Sequence, residues 1–304
     1  MPEFLLTLDV ETTSISRNGL FDDMGQKVIT EGLPPILDML DEYSIKSTFF
    51  YTGYIAKNFP KSVKIVHSRG HEIGSHGLMH QPNQSLDILS LKEQVSHLKE
   101  SKKILEDMIG EKILSFRAPA LRVNGDTPKA LMETGFTIDS SIASQRFDMF
   151  LSFGSFKKLN RLIAPRTPYF TSENSLAKKG KGSILEIPIS AIGVPYIGTT
   201  LRIFPKATKI LRYFLGKESI CKKNKPIVFL FHPNENIREP KDVKIERRVK
   251  NAILYILGDV IRRNLKMKNL GHKGMILLNQ EINYFKKIGF QFITLKTFFY
   301  KYHS

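Results

Sequence analysis

A chain of 304 residues with 41% hydrophobic and 25% charged side chains has the composition of a folded globular protein, which excludes a largely disordered chain. Its lone cysteine, Cys221, excludes an internal disulfide. The formal net charge of +17 favours anionic partners such as acidic lipid, phosphorylated substrates or nucleic acid. A general lysine bias would produce the same excess, because the lysines are spread along much of the chain.

The ends of the chain and its apolar runs bear on location. The first residues, MPEFLLTLDVE, lack the basic start, the long apolar run and the cleavage site of a signal peptide. No run of about eighteen apolar residues predicts a transmembrane helix. We therefore expect a cytoplasmic protein.

The pattern along the chain alternates between strands and helices. The apolar run from Leu5 to Val10 predicts a buried strand, and apolar residues at helical spacing from Pro34 to Tyr43 predict a helix. Further helices are predicted near 63–66, 91–108 and 129–134, and further strands over 47–51, 113–116, 135–138, 183–189 and 227–231. This alternation predicts a parallel sheet with helices outside it, in a single barrel-like domain over 1–304. Two stretches, 142–182 and 236–285, interrupt the alternation and are interpreted as insertions.

Two histidines and two carboxylates have the spacing of metal ligands. His76 and His80 stand four residues apart, so their imidazoles could converge on one ion if the segment makes a helical turn. Asp9 and Glu11 are separated by one residue and project to the same side of a regular strand. One carboxylate could bind an ion and the other act as a base. A random histidine pair and a solvated turn would give the same pattern.

Three further side chains end predicted strands. His232 directly follows the apolar run over 227–231, and Arg117 and Asp139 follow two other strands. Active sites gather at the C-terminal ends of barrel strands, and Arg117 could pair with a carboxylate there. Each residue alone could be a structural rim residue, but charged groups at five strand ends together predict a catalytic edge.

Five segments, in order, resemble the motifs of the NodB-type polysaccharide deacetylases, carbohydrate esterase family 4. The segments are LTLDVE (6–11), RGHEIGSHGLMH (69–80), FRAPA (116–120), GFTIDSS (135–141) and FLFHP (229–233). The first departs from the adjacent aspartates of the family and resembles its DxE and DxD variants. Similar phrases at 45–53, 186–190 and 289–295 extend the resemblance over nearly the whole chain.

The resemblance implies a distorted (β/α)7 barrel and a metal-dependent carbohydrate deacetylase. Such an enzyme removes an N-acyl group, expected to be N-acetyl, from an amino sugar or glycan precursor in cell-surface polysaccharide biosynthesis. Glu11, His76 and His80 would bind a divalent ion, expected to be Zn2+, and Asp9 would be the base, although these two carboxylates could exchange roles. His232 would protonate the leaving amine, with Arg117 holding Asp9 and Asp139 orienting His232.

Alternative functions stay open at this point. One is a deformylase or deacetylase of a lipid-linked amino sugar, and another is a metal-free opening of a cyclic amide, which the intact histidine pair disfavours. A non-catalytic barrel that binds a sugar or a protein would differ in its metal content. Nucleic-acid binding rests on charge alone and is disfavoured.

Two basic segments, Lys206–Lys217 and Lys241–Lys273, alternate lysine or arginine with apolar residues at helical spacing. This pattern is typical of a helix that lies in a membrane interface, and equally of a helix packed on a barrel with solvated lysines. We expect this face to hold a phosphate- or lipid-linked sugar or to contact the anionic inner surface of a membrane.

Overall fold

A curled parallel sheet forms the centre of the protein. The computed structural model describes residues 1–17, 19–144, 161–240 and 255–303, together with residues 243 and 252. The strands are β1 (Glu3–Val10), β2 (Thr13–Ser14), β3 (Gly19–Leu20), β4 (Thr48–Tyr51), β5 (Glu72–Ser75), β6 (Ser115–Phe116), β7 (Ile138–Asp139), β8 (Tyr169–Ser172), β9 (Ser175–Lys179), β10 (Leu185–Glu186), β11 (Ala191–Ile192), β12 (Val194–Pro195), β13 (Ile227–Phe231) and β14 (Gln291–Phe292).

Seven of the described strands run parallel, in the order β13, β1, β4, β5, β6, β7 and β10. The hairpin β8–β9 extends the sheet antiparallel beyond β10, and β14 pairs with the start of β1. The two edges approach each other after β10, where the backbone N–H of Ser190 donates to the carbonyl of Val228 at 3.0 Å. This arrangement confirms the predicted fold class, a distorted barrel of seven parallel strands.

Helices cover the outside of the sheet. They are α1 (Asp22–Lys27), α2 (Leu33–Glu42), α3 (Gly53–Asn58), α4 (Pro60–Ser68), α5 (Leu91–Ile109), α6 (Thr127–Glu133), α7 (Gly198–Ile203), α8 (Pro205–Cys221), α9 (Arg262–Lys266), α10 (His272–Lys287) and α11 (Leu295–His303). Signals in the sequence set the ends of α5: Ser90 and Glu93 form a capping box, and Gly110 ends the helix at a φ of 72°. Among the described helices, none combines the length and apolarity needed to cross a membrane.

The predicted insertions are described in part. Residues 145–160 of the first and most of 241–254 in the second lie outside the described residues. The described part of the first carries β8 and β9, and the second contains α10, which buries Leu278, Ile282 and Phe285 in the core. The insertion boundaries and the single domain over 1–304 stay predictions.

Residue alternation along β1 decides what lies inside the barrel. Phe4, Leu6 and Leu8 belong to the apolar cluster between sheet and helices, whereas Leu5 belongs to a second cluster on the other face. Because side chains alternate along a strand, Thr7 and Asp9 share the inner face with Leu5. The inner face is therefore apolar near the start of β1 and polar near its C-terminal end.

Candidate metal centre

The loop after β5 brings the two histidines together. His76 is anchored by its backbone N–H, which donates to the carbonyl of Tyr51 at 2.8 Å. The segment 76–80 is not helical, so the two imidazoles come together without a helical turn. Instead Gly77 has a φ of 73°, a conformation that favours glycine, and the chain turns there so that the imidazole centroids of His76 and His80 lie 5.6 Å apart.

The two carboxylates of the first strand face this pair from the same side, as the alternation predicts. The Oδ2 atom of Asp9 and the Oε2 atom of Glu11 each lie 3.8 Å from Nε2 of His76. Nε2 of His80 lies 3.0 Å from the same Glu11 oxygen. Glu11, His76 and His80 each offer a donor atom within 4.8 Å of the others, so these three residues could hold a metal ion.

The chemistry of these donors fits a divalent ion. Nδ1 of His76 lies 2.8 Å from the carbonyl oxygen of Arg117, so Nδ1–H donates there and Nε2 keeps a lone pair for an ion. The Oε2 atom of Glu11 is buried and faces the imidazole nitrogens of His76 and His80. Each ligand atom lies about 2.0–2.2 Å from a bound ion, so two ligand atoms of one ion are at most about 4.4 Å apart. The distances from Oε2 of Glu11 to Nε2 of His76 and to Nε2 of His80 are both shorter than this limit. Burial opposes ionisation of Glu11, but the neighbouring His80 and His76 hold its pKa well below the usual value.

Arg117 connects the candidate metal site to residues in the barrel interior by hydrogen bonds. Its fully buried guanidinium donates to Oδ1 of Asp9 at 2.9 Å and to Oγ1 of Thr7 at 2.8 Å. On its other side it donates to the carbonyl and hydroxyl oxygens of Ser140, at 2.9 and 2.8 Å, and it lies over the ring of Phe50. Oδ1 of Asp9 is therefore fixed, whereas Oδ2 faces the histidines.

His232 lies at the same edge, as predicted, but the carboxylates near it are Asp9 and Glu235. Its Nε2 is 4.0 Å from Oδ2 of Asp9. Glu235, which sequence reasoning missed, lies three residues further along, and Thr199 and Arg202 donate to its Oε1. Burial opposes ionisation of Glu235, but Arg202 and His232 hold its pKa below the usual value.

Among the described residues, no hydrogen bond or ion pair joins Asp139 to His232. Asp139 accepts from the hydroxyl of Ser141 at 2.7 Å, and Ser141 accepts from the backbone N–H of Ala118 at 2.8 Å. Asp139 also lies opposite Glu186 in neighbouring strands. Burial raises the pKa of both carboxyl groups, and most strongly that of Glu186. Asp139 thus supports the Arg117–Ala120 turn through Ser141, and its role in orienting His232 stays a prediction.

Two further features complete the edge. The backbone N–H of Ala120 donates to Nε2 of His80 at 3.2 Å, and Ala120 holds a left-handed φ of 50°.

A cleft of about 370 Å³ opens beside Glu11 and His80. Its other lining residues are Thr12, Leu20, Phe21, Asp22, Thr52, Tyr54, Met79 and Gln81. The phenol of Tyr54 donates to Asp22 at 2.7 Å, so the cleft has an acidic, aromatic wall.

The carboxylate of Glu239 secures the loop after β1. Glu239 accepts from the backbone N–H groups of Ile15 and Ser16, at 2.8 and 3.1 Å, and from the hydroxyls of Ser14 and Ser16. Arg263 donates to the carbonyl of Ser16 at 2.9 Å. The loop that follows Glu11 is therefore held by residues from the far end of the chain.

Comparisons with known proteins agree with this geometry. The family model described as polysaccharide deacetylase matches residues 16–138, which contain both histidines and Arg117. A peptidoglycan deacetylase of Helicobacter pylori is 26% identical over 116 residues, 38% of this chain and 39% of that protein. A peptidoglycan-N-acetylglucosamine deacetylase of Bacillus cereus is 32% identical over 116 residues, 38% of this chain and 51% of that protein. The matches span about a third to a half of the length of these curated relatives.

Solved structures share the fold over nearly all of the chain. A Mycobacterium smegmatis protein assigned as a polysaccharide deacetylase has a TM-score of 0.56 and 23% identity, over 93% of this chain and 91% of its own. An allantoinase has a TM-score of 0.60 and 17% identity, over 97% and 88%. The family model, the relatives and the five ordered motifs all show that the chain is similar to the polysaccharide deacetylases, carbohydrate esterase family 4. Its place in the DxE or DxD subgroup stays a prediction.

Proposed function

We propose that the protein is a metal-dependent hydrolase that removes an N-acetyl group from an amino sugar within a glycan. The observation that carries the proposal is the convergence of Glu11, His76 and His80 beside an aspartate that a buried arginine holds in place. The similarity to polysaccharide deacetylases supports the deacetylation of a sugar. The proposal extends this to the metal, to the substrate and to the roles of single residues.

Glu11, His76 and His80 would hold the ion, which we propose to be Zn2+ because one carboxylate and two imidazoles suit that metal. When bound, a divalent ion at three protein ligands activates a water molecule and polarises the acyl oxygen. The hydrogen bond from His76 to the Arg117 carbonyl would keep the ligand nitrogen of that ring aimed at the ion.

Asp9 is proposed as the base. Arg117 occupies one of its oxygens, so the other is the one left to accept a proton from the attacking water. The fixed carboxylate needs little reorganisation during the reaction, because its partner is fully buried and itself held by Ser140. Positioning of this kind accounts for a large part of enzymatic rate enhancement.

Ala120 and His232 would handle the charge that the attack creates. The backbone N–H of Ala120 donates to Nε2 of His80 at 3.2 Å; an ion bound to that nitrogen would take its lone pair and leave the N–H to donate to the oxygen of the tetrahedral intermediate. His232 lies beyond Asp9, close enough to deliver a proton to the departing nitrogen, which cannot leave as an amide anion at neutral pH. Glu235 would favour the protonated imidazole through its negative charge.

The cleft supports a sugar as the substrate. Its volume lies within the range of small-molecule sites. Phe21 and Tyr54 offer aromatic rings for the apolar face of a sugar, and Asp22 offers a carboxylate for hydroxyl groups. Among the relatives, one is named as a peptidoglycan-N-acetylglucosamine deacetylase and another as a chitooligosaccharide deacetylase of Sinorhizobium fredii. We therefore propose a glycan that contains N-acetylglucosamine, with a phosphate- or lipid-linked form as the finer alternative.

One experiment tests the metal and the reaction together. Purified protein is analysed for metal content and then screened for acetate release from chitooligosaccharides, peptidoglycan fragments, nucleotide sugars and lipid-linked sugars. We expect about one divalent ion per chain and acetate from at least one class, both lost in the variant His76→Ala/His80→Ala. The matched control is His67→Ala, since His67 lies on α4 beside Glu111, away from the cluster.

The remaining outcomes separate the alternatives. Full metal content in the double histidine variant would refute the proposed ligands. Formate release from a lipid-linked amino sugar would favour a deformylase. Glycan binding without metal and without acetate release would favour a non-catalytic barrel.

A further inference from the structure

Helix α8 presents an unusual outer face. Its inner face packs on the barrel through Thr208, Leu211, Leu215, Gly216 and Ser219. Its outer face exposes four large apolar side chains within seventeen residues, namely Ile210 (63% exposed), Tyr213 (49%), Phe214 (55%) and Ile220 (57%). Exposed apolar residues are ordinary when scattered singly, but a row of them on one helix marks an interaction surface.

The charges on this outer face all have one sign. Its exposed ionisable side chains within α8, every residue of which is described, are Lys206, Lys209 and Lys217. The single carboxylate of the helix, on Glu218, is half-buried and paired with Arg166 and Lys222. Within α8, no exposed carboxylate therefore offsets the three lysines.

A hairpin next to α8 also exposes apolar side chains. Strand β11 packs against α8, and β11 and β12 join at Gly193, whose φ is 70°. The residues on either side, Ile192 and Val194, are each 39% exposed. We call the outer face of α8, with its four exposed apolar side chains and three lysines, the α8 face.

We propose that the α8 face binds an anionic bilayer surface, with α8 lying in the plane of the headgroups. Apolar and aromatic side chains interleaved with lysine are typical of helices at acidic membrane surfaces, where tyrosine lies at the headgroup level. Lysine is depleted from protein–protein interfaces, which disfavours a protein partner for a face with three of them. The inference does not depend on the proposed deacetylase activity.

Helix α5 provides a matched control on the same chain. It also exposes three lysines, Lys92, Lys99 and Lys103, but together with Glu93, Glu100 and Asp107. None of its large apolar residues is among the exposed ones. Neutralising three lysines on either helix lowers the net charge by the same amount, so a difference between the two variants reports on the surface rather than on total charge.

The experiment is flotation of the full chain with vesicles of phosphatidylcholine alone or with about a third phosphatidylglycerol, at low and high salt. We expect flotation only with acidic vesicles, weakened by salt. Lys206→Gln/Lys209→Gln/Lys217→Gln should lower partitioning on the order of a hundredfold, since each basic residue contributes roughly fivefold near an acidic leaflet. The α5 triple variant should lose less than about tenfold. Ile210→Ser/Phe214→Ser should lose on the order of tenfold if these side chains enter the interface.

Because all substituted side chains are exposed, every variant should keep the unfolding midpoint of the parent chain. Absence of flotation with acidic vesicles at low salt would overturn the proposal. Equal losses of vesicle binding in the α8 and α5 triple variants would show that binding depends only on total charge, and would also overturn the proposal. Self-association in sedimentation that Ile210→Ser/Phe214→Ser abolishes, without vesicle binding, would assign the α8 face to a second copy of the chain instead.

Discussion

Replacing Arg117 with lysine is the sharpest test of how the catalytic edge is built. The substitution keeps the positive charge but removes the planar fork that joins β1 to the segment after β7. A lysine ammonium placed beside Asp9 could still donate to that carboxylate and to Thr7. The carbonyl and hydroxyl oxygens of Ser140 would then lose their charged donor, and the contact with Phe50 would be lost.

The expected cost follows from those contacts. A hydrogen bond to a charged group contributes about 1.5–3 kcal/mol, so the loss of two should lower the free energy of unfolding by about 3–6 kcal/mol. Whole domains are stable by about 5–15 kcal/mol, so the variant should fold but unfold at much lower urea. Turnover per folded molecule should fall at least about a hundredfold, because Asp9 loses its fixed orientation.

Urea unfolding and acetate release, both on metal-loaded protein, measure the two effects. The control is Arg212→Lys, because Arg212 pairs with the buried Glu281 and stacks on Tyr284 away from the cluster. That variant should lose stability and keep turnover per folded molecule. An unfolding free energy for Arg117→Lys within about 1 kcal/mol of the parent, or unchanged turnover, would refute the proposed role of the fork.

Three further predictions concern single residues. Asp9→Asn should retain the metal and lose turnover at least about a hundredfold, whereas Glu11→Gln should lose metal affinity; metal loss from Asp9→Asn in elemental analysis would reverse their roles. His232→Gln should lower turnover by about a hundredfold on amides and less on activated esters, and an equal loss on every substrate would indicate a structural role. His71 is buried, which lowers its pKa from 6.5 to about 4, so between these values the unfolded chain binds a proton that the folded chain does not. The contribution of His71 to stability is therefore complete above pH 6.5 and should be about 2 kcal/mol smaller at pH 5. In urea titrations of metal-free protein at pH 7 and 5, His71→Gln should lose about 2 kcal/mol less than the parent chain; equal losses in both chains would contradict the assignment.

Much of the edge followed from local patterns in the sequence. The apolar run over 227–231 coincides with β13, all of whose residues are buried. His232 directly follows it and therefore lies at the C-terminal end of the strand. The alternation in β1 correctly put Asp9 and Glu11 on one side. These predictions held because strand periodicity and strand ends are properties of short segments.

Other features depend on which strands become neighbours, which the sequence does not state. Asp139 lies opposite Glu186 only because β7 pairs with β10, and its carboxyl group accepts from the hydroxyl of Ser141. Glu235 is recognisable only once α7 places Thr199 and Arg202 against it. The turn at Gly77 could not be foreseen, because a spacing of four suits a helix and a loop equally well.

The position of β1 in the sheet has a consequence for synthesis on the ribosome. Seven of its eight residues are buried, and one of its neighbours, β13, is made more than two hundred residues later. At about 5–20 residues per second, this apolar strand waits roughly ten to forty seconds for that neighbour. The loop that follows Glu11 waits longer still for Glu239. We expect chains that end before β13 to aggregate or to bind chaperones during translation. The proposed metal ligands are all made within the first 80 residues, yet we expect them to be among the last parts of the protein to reach their final arrangement.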